Sequence, residues 1–548
     1  MNRSSLLVSQ LSSIRNRYGV NFSSQKLNLL TALESERVRS KKTLQAWYDT
    51  LLFLLAYPDN RLVYQQAVLS LQQLQHYIQS HENIQQASYN SGITNTRLCA
   101  AFSFEIVKWM RKKHPGNIRL NSFDADDGTI QSILSVVMPK VESEIMQDGN
   151  ADWRSWLKGS IQKEEDLLDR IIAVFDETGI RPEVRDELWA AMLLNVEIDF
   201  PEHDCLPGSL ISHYYHRSLI KKNFTGEQAD VKPVRVKLDE TEAEQIIDCS
   251  RMILLRHLRE IDPITFTAAR FVSYYRLQRG FSIALMGMLP ERRSPIDSYM
   301  GYVVFKNGLP VAYAGSWIFF DSGRIGLNIF PAYRGGESQY IFDQVLKLHR
   351  KVYRLKRFSV DPYQVGKENS DGIRSGAFWV YYHAGFRPIG KEQRQLAEAE
   401  ALKIKKIPTY RSPPNVLKKL ADSRSEFILQ KGSVRFDATD LSRTYAAILK
   451  DQYNNKRKPA EERSFKKLAL LLSIKNYREE NLQFILKNWS ILLLSKEAAF
   501  YRNNRLKKSL KKLFELKAAG SEEDYIAELQ RAVELRKLLE SVLKEYVD

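Results

Sequence analysis

Cysteine is scarce in this chain, which has three among its 548 residues. Cys99, Cys205 and Cys249 stand far apart, without the paired spacing of a disulfide framework or of a zinc site. Small secreted proteins that depend on disulfide bonds are therefore excluded. We expect this protein to work in a reducing compartment, the cytoplasm.

Long apolar runs are also missing. Leu51–Tyr57 and Leu468–Leu472 are among the longest, and both fall far short of the roughly 20 residues that a membrane-spanning helix needs. Near Met1, one arginine is followed by an apolar stretch of only three residues, which is too short for the core of a secretory signal. We therefore expect neither a membrane segment nor a membrane partner.

The signatures of several enzyme classes are absent too. The sequence has no Walker phosphate loop, no Gly-x-Ser-x-Gly elbow and no His-Glu-x-x-His motif. One short stretch gathers side chains that could bind a metal: His203, Asp204, Cys205, His213 and His216. Only the last two have the spacing of a zinc-ligand pair, so we predict no metal site.

Negative charge is in deficit, since the chain has a formal net charge of +17. Most of the surplus follows Lys391, where 34 Lys and Arg face 22 Asp and Glu. Such a surplus could attract nucleic acid, but these helices match no nucleic-acid-binding module. We expect the charge to serve mainly as solvated helix surface, which favours solubility.

Residues 1–222 show apolar positions at helical spacing and predict an all-α domain. Asn83–Thr96 is polar and is predicted to be a loop between helices. Asn223–Pro233 combines polar and turn-forming residues, so we place the first domain boundary there.

Residues 231–432 change to a mixture of strand and helix patterns. Two apolar runs flank Asn307-Gly308, a dipeptide that strongly favours a β-hairpin. Ile325–Phe330 is a further apolar run, and Ser338–Leu355 has helical spacing. These patterns predict a central α/β or α+β domain, followed by a second all-α domain over residues 433–548.

The turn between the last of these strands and its helix, Pro331–Ser338, has the composition of an anion site. Gly335 and Gly336 allow a tight turn that points several N–H groups at one place, at the positive end of a helix. Arg334 adds a full positive charge. The alternative is a plain turn that contains a glycine pair.

The order of these elements resembles the GNAT acyltransferase superfamily. Its members have a hairpin, then a strand that leads through a basic, glycine-rich turn into a long helix, then a strand and a helix that ends in Tyr-x-x-x-Gly-Phe. Here that last motif is Tyr381–Phe386. The resemblance covers about 200 of the 548 residues and implies a GNAT-like mixed sheet that uses acetyl-CoA or another acyl-CoA.

The resemblance also implies residue roles. The coenzyme A thioester would be held by residues around the turn and beyond the next strand: Phe330, Arg334, Gly335, Gly336, Ser338 and Asn369. Tyr381 would reprotonate the leaving thiolate. His383 and Asp361 are the candidates for the base that deprotonates the acceptor amine.

Glu337 conflicts with this picture, because an acid at the start of a helix weakens its attraction for phosphate. It must turn away from the anion or pair with Arg334. The spacing of the turn also fits the superfamily motif in neither of two registers, since Glu337 and Gln339 stand at the small positions in one, and Tyr333 replaces the basic residue in the other.

Two functions therefore remain open. One is an N-acyltransferase, with acetyl transfer to an amine that the sequence does not identify. The other is a GNAT-like scaffold without catalysis that binds a protein partner or an anionic polymer.

Overall fold

The structure is a computed structural model that describes residues 3–147, 152–159, 167–200, 205–220, 232–407, 409–501 and 503–546. No helix within these ranges is long and apolar enough to cross a membrane. Residues 223–231 of the predicted boundary segment lie outside the described residues. His203 and Asp204 also lie outside them. By their packing, the residues divide into two units.

The first unit comprises Met1–Leu206, Tyr214–Arg217 and Asp248–Glu260. Its helices are α1 (Arg3–Ile14), α2 (Val20–Glu34), α3 (Lys41–Ala56), α4 (Arg61–Gln79), α5 (Glu82–Ala87), α6 (Phe104–Lys113), α7 (Asp127–Val137), α8 (Lys140–Gln147), α9 (Trp153–Gly159), α10 (Leu167–Glu177) and α11 (Pro182–Ala191). Three strands, β1 (Arg97–Ala101), β2 (Ile118–Phe123) and β3 (Leu194–Asp199), form an antiparallel sheet in the order β1-β3-β2.

The prediction of an all-α N-terminal domain was therefore wrong. In β3, buried Leu194, Val196 and Ile198 alternate with Asn195, Glu197 and Asp199, which is the period-two pattern of a strand. This pattern is six residues long and directly follows the apolar face of α11. On the polar side, Arg97 and Arg119 each pair with both acids of β3. The predicted loop Asn83–Thr96 also contains most of α5.

The second unit comprises Pro207–His213, Ser218–Ile247 and Ile261–Asp548. Helix α12 (Glu240–Arg256) contributes residues to both units. The strands of the second unit are β4 (Val234–Val236), β5 (Val272–Arg276), β6 (Phe281–Met286), β7 (Ser298–Lys306), β8 (Leu309–Phe319), β9 (Ser322–Ile325), β10 (Asn328–Ile329), β11 (Arg357–Val360), β12 (Arg387–Pro388) and β13 (Ser425–Ile428).

These strands form one mixed sheet in the order β12-β13-β11-β9-β8-β7-β6-β5-β4, and β10 pairs with β8. Among these strand pairs, β9 and β11 run parallel and the others run antiparallel. A parallel pair needs a long crossover connection, which is here the helix predicted after Pro331. The expected mixed sheet with helices is thus confirmed for this unit.

The remaining helices of the second unit are α13 (Asp262–Thr265), α14 (Ser338–Tyr353), α15 (Pro362–Val365), α16 (Ser370–Ser375), α17 (Ala377–His383), α18 (Lys391–Lys406), α19 (Pro414–Leu420), α20 (Ala438–Tyr453), α21 (Arg457–Leu471), α22 (Glu480–Leu494), α23 (Ala498–Tyr501), α24 (Asn504–Ala519), α25 (Glu522–Arg531) and α26 (Val533–Tyr546). Helix α14 lies on one face of the sheet, where its His349 contacts Ser316 of β8. Helices α20 to α26 share a buried core with Phe319 and Phe320, and α25 also contacts α14, where Gln530 donates to the carbonyl oxygen of Tyr353.

The described residues of the C-terminal segment are helical from Ala438 onward, as predicted. The sequence placed a domain boundary at residue 432, whereas the structure groups these helices with the sheet. The reason is a shared buried core and a buried ion cluster. Lys517 of α24 donates to both oxygens of Glu522, and Arg293, which precedes β7, lies 3.8 Å from that carboxylate. All three side chains are almost fully buried.

The predicted hairpin is confirmed. Asn307 and Gly308 both have positive φ, 48° and 85°, as a two-residue turn between β7 and β8 requires. Farther along these strands, Tyr299 stacks flat on Trp317 with ring centroids 4.1 Å apart. Gly315 lies beneath this pair, and a Cβ placed there would come within 2.3 Å of the Tyr299 ring.

We therefore expect the substitution Gly315→Ala to separate Tyr299 from Trp317 and to lower the free energy of unfolding by about 1–3 kcal/mol. Gly208→Ala is the matched control, because a Cβ at Gly208 meets no atom within 4 Å. Urea unfolding followed by circular dichroism provides the measurement. Equal losses in the two variants would show that the close approach at Gly315 is tolerated.

Candidate functional site

The sheet contains a break that exposes backbone groups at the end of the parallel pair. Residues Ser322, Gly323 and Arg324 of β9 pair with β11, and β9 ends at Ile325. The chain resumes as β10 at Asn328, which pairs with β8, and no described strand pairs with the other edge of β10. A gap therefore opens between β10 and the end of β11, at Gly326 and Leu327.

Tyr381 of α17 fills this gap. Its phenol oxygen accepts a hydrogen bond from the backbone N–H of Leu327 at 3.0 Å, and its hydroxyl donates to Gln364 Oε1 at 3.5 Å. The side chain is 3% exposed, and Phe342 and Phe386 contact its ring edge-on. This burial raises the pKa of Tyr381 well above that of free tyrosine, so the phenol carries its proton at neutral pH.

A second tyrosine stabilises the same break, at Gly326. Tyr302 of β7 is fully buried, and its hydroxyl donates to the carbonyl oxygen of Gly326. Gly326 also lies against Gln364, whose side-chain amide would be 3.0 Å from an added Cβ. The break is thus a defined backbone conformation, held on both sides by hydroxyl groups.

The glycine-rich turn leads directly from this break to the start of α14. Pro331–Tyr333 forms a short 3₁₀ turn, and Gly335 then adopts φ of 85°, a conformation that favours glycine. Arg334 and Gly335 are exposed, whereas Gly336 and Ser338 are half-buried. The first N–H groups of α14 have no acceptor within the helix, so its N-terminus suits an anion.

Glu337 turns away from this N-terminus into the protein. It has no exposed surface, and its Oε1 accepts from the backbone N–H of Ile220 at 2.8 Å and from Arg279 Nη2 at 2.7 Å. Lys306, also buried, lies 4.0 Å from its Oε2. The partner predicted for a paired Glu337 was Arg334, whereas the carboxylate pairs with Arg279. The conflict with anion binding is thereby removed.

The other predicted cofactor residues occupy varied environments. Phe330 is buried and stacks on Tyr313, with ring centroids 5.1 Å apart. Asn369 lies beyond β11, between α15 and α16. Its side chain accepts a hydrogen bond from the N–H of Gly372 and caps α16. The segment between β11 and α17 contains the two short helices α15 and α16.

The two base candidates lie in different surroundings. His383 is half-buried beside Trp379, and burial together with nearby Arg387 lowers its pKa, so its imidazole is neutral at neutral pH. Asp361, at the end of β11, pairs with Arg324 at 3.4 Å and Arg424 at 3.7 Å. The described hydrogen bonds include none between Tyr381 and either candidate.

Sequence reasoning missed the residues that hold the break and the turn: Tyr302, Leu327, Gln364, Arg279 and Lys306. Gly326 within an apolar run was a usable signal, because a glycine inside a strand often marks a bulge or a close approach. Leu327 contributes through its backbone N–H, so its side chain gives no signal in the sequence.

The part of the chain that the structure describes contains no group of three His, Cys, Asp or Glu placed to bind a metal. His216, one of the side chains considered above as a possible metal ligand, is buried against Tyr214 and Tyr57. Comparison with protein-family models, with curated proteins and with solved structures finds no match for this chain.

The charge cluster under the turn should make stability depend on pH. Burial lowers the pKa of Lys306 to about 7, with Glu337 acting against this shift and Arg279 adding to it. In the unfolded chain its pKa is about 10.4. Between these values the unfolded state binds more protons, so the free energy of unfolding should rise with pH, by about 5 kcal/mol in total.

The measurement is urea unfolding of wild type and Lys306→Met at pH values from about 6 to about 10. We expect the wild type to gain stability relative to the variant as pH rises, because other titrating groups are common to both proteins. Parallel stability curves would show that Lys306 keeps an ordinary pKa in the folded protein.

Proposed function

We propose that the second unit is an N-acyltransferase of the GNAT type, which transfers an acyl group, in the simplest case acetyl, from coenzyme A to an amine. The observation that carries the proposal is the hydrogen bond that the backbone N–H of Leu327 donates to the phenol oxygen of Tyr381. It lies in a gap between a broken strand and its parallel neighbour. The gap lies between the turn at the start of α14 and the Tyr381–Phe386 motif.

Each chemical need of thioester transfer has a candidate group here. The N–H of Leu327, now bonded to the phenol oxygen, could instead donate to a thioester carbonyl and to the oxyanion that forms from it. When the amine attacks, the C–S bond breaks and a thiolate leaves. Tyr381 is protonated because it is buried, so it can donate the proton that the thiolate takes up.

The amine must lose a proton in the same reaction. His383 is neutral and so able to accept one, and Asp361 lies at the end of the strand beside the gap. The phosphates of coenzyme A would lie at the start of α14, where Gly335 and Gly336 allow a close approach. With Glu337 turned toward Arg279, no carboxylate of this turn opposes them.

The alternative of a scaffold for an anionic polymer has less support from the basic C-terminal helices. Lys508 and Lys512 stand four residues apart on α24, but Lys512 pairs with Glu528 at 2.7 Å. Lys511 donates to the carbonyl oxygen of Ser473. Neighbouring acids and carbonyls thus interrupt the continuous basic surface that such a polymer needs.

Binding of acetyl-CoA is the first test. We expect wild type to bind in calorimetric titration and Arg334→Ala to bind at least about tenfold more weakly, since a charged hydrogen bond to phosphate contributes about 1.5–3 kcal/mol. Arg350→Ala is the matched control, because Arg350 is an exposed arginine at the far end of the same helix. Equal affinity of both variants, or no heat with wild type, would contradict the proposed cofactor site.

Transfer is tested separately, with labelled acetyl-CoA and a mixture of amines that includes polyamines, amino acids and lysine peptides. We expect Tyr381→Phe to lower kcat by about 10²–10⁴ with little change in acetyl-CoA affinity. Tyr382→Phe, on the next residue of the same helix, should retain activity. Binding without transfer to any amine would favour the inactive scaffold.

A further inference from the structure

A partly open cavity with about 60 Å³ of enclosed space lies on the face of the sheet opposite α14. Strands β8, β9 and β11 form its floor, and the segment that leads into α20 forms its wall. The enclosed part is smaller than the roughly 300–1,000 Å³ of typical small-molecule sites, so a ligand held there extends into solvent. The cavity belongs wholly to the second unit.

Four arginines line the cavity, and three of them are held by protein acids. Arg324 and Arg424 both pair with Asp361, and Arg357 pairs with Glu426 while also donating to the carbonyl of Val434. The Nε of Arg357 is buried and has no hydrogen-bond partner in the described ranges.

The fourth arginine, Arg435, differs from the others. It is exposed at the cavity wall, and the described part of the chain offers it no ion pair or hydrogen bond. It is therefore the guanidinium best able to take an external carboxylate.

Two buried polar side chains in the cavity lack full hydrogen bonding. Ser359 of β11 is 7% exposed, yet its hydroxyl has no partner among the described residues. Asp297 is 8% exposed, and Ser294 donates to its Oδ1. These two side chains can therefore form further hydrogen bonds with a molecule in the cavity.

The cavity also has an aromatic side. Trp317, which is stacked on Tyr299, lies next to Phe319 and Phe436, and these three side chains line the cavity. They offer apolar surface to the body of a ligand, whereas the arginines, Ser359 and Asp297 offer charge and hydrogen bonds.

We propose that this cavity binds a zwitterionic small molecule, an amino acid with an aromatic or large apolar side chain. Arg435 and Ser359 would take its carboxylate, Asp297 its ammonium group, and Trp317 with Phe436 its side chain. A plain anion would meet the carboxylates of Asp297 and Asp437, and a plain cation would meet the arginines. This assignment stands on the cavity alone and does not rest on the proposed transferase function.

The test is calorimetric titration of the full chain, without any acyl-CoA, with L-phenylalanine, L-tryptophan and L-leucine. Phenylalaninamide lacks the carboxylate, and N-acetylphenylalanine lacks the ammonium group. We expect at least one of the amino acids to bind, and each single-charge analogue to bind at least about tenfold more weakly than phenylalanine. No binding at millimolar concentration, or equally tight binding of inorganic phosphate, would overturn the assignment.

Variants locate the binding. Arg435→Gln should weaken amino-acid binding at least about tenfold and leave the unfolding temperature unchanged, since Arg435 is exposed. Arg443→Gln on α20 is the control, because that exposed arginine lies outside the cavity and pairs with Asp440. Ser359→Ala should also weaken binding. If Arg435→Gln binds as tightly as the control, the site is not this cavity.

Discussion

The parallel pairing of β9 with β11 is the constraint on which the second unit depends. It spans three residue pairs, after which β10 stays with β8 and β11 proceeds toward α15. Two parallel strands that separate leave backbone N–H and C=O groups that must find other partners, because an unpaired buried group costs free energy. Tyr302 and Tyr381 supply those partners at Gly326 and Leu327. The Tyr381 hydroxyl, which accepts the hydrogen bond of the Leu327 N–H, is therefore also the group proposed to protonate the leaving thiolate.

The crossover between these strands places the glycine-rich turn beside the gap. A parallel connection requires a helix, and α14 starts where the broken strand ends. The anchoring of Glu337 by Arg279 and Lys306 fixes the turn to the loops around β6 and β7. A buried carboxylate paired with Arg279 is costly to place but holds one conformation of the turn, since its displacement would leave unpaired charges.

The sequence predicted well those elements whose signal is local. The hairpin at Asn307-Gly308, helix α14 and helix α17 with its Tyr381–Phe386 motif each have their signal within a few residues, and each was found. Strands β1, β2 and β3 were missed because they are five or six residues long and stand between stronger helical patterns. The partners of Glu337 could not be predicted either, because Arg279 and Ile220 are 58 and 117 residues away along the chain.

The buried cluster of Lys517, Glu522 and Arg293 gives the chain an order of assembly. Arg293 precedes β7, near the middle of the sheet, whereas Lys517 and Glu522 follow it by more than 200 residues. Until α24 and α25 pack on the sheet, Arg293 lacks the buried Glu522 carboxylate, and closing the core over it would bury a charge without that partner. The part of the core around Arg293 therefore closes only when α24 and α25 are in place.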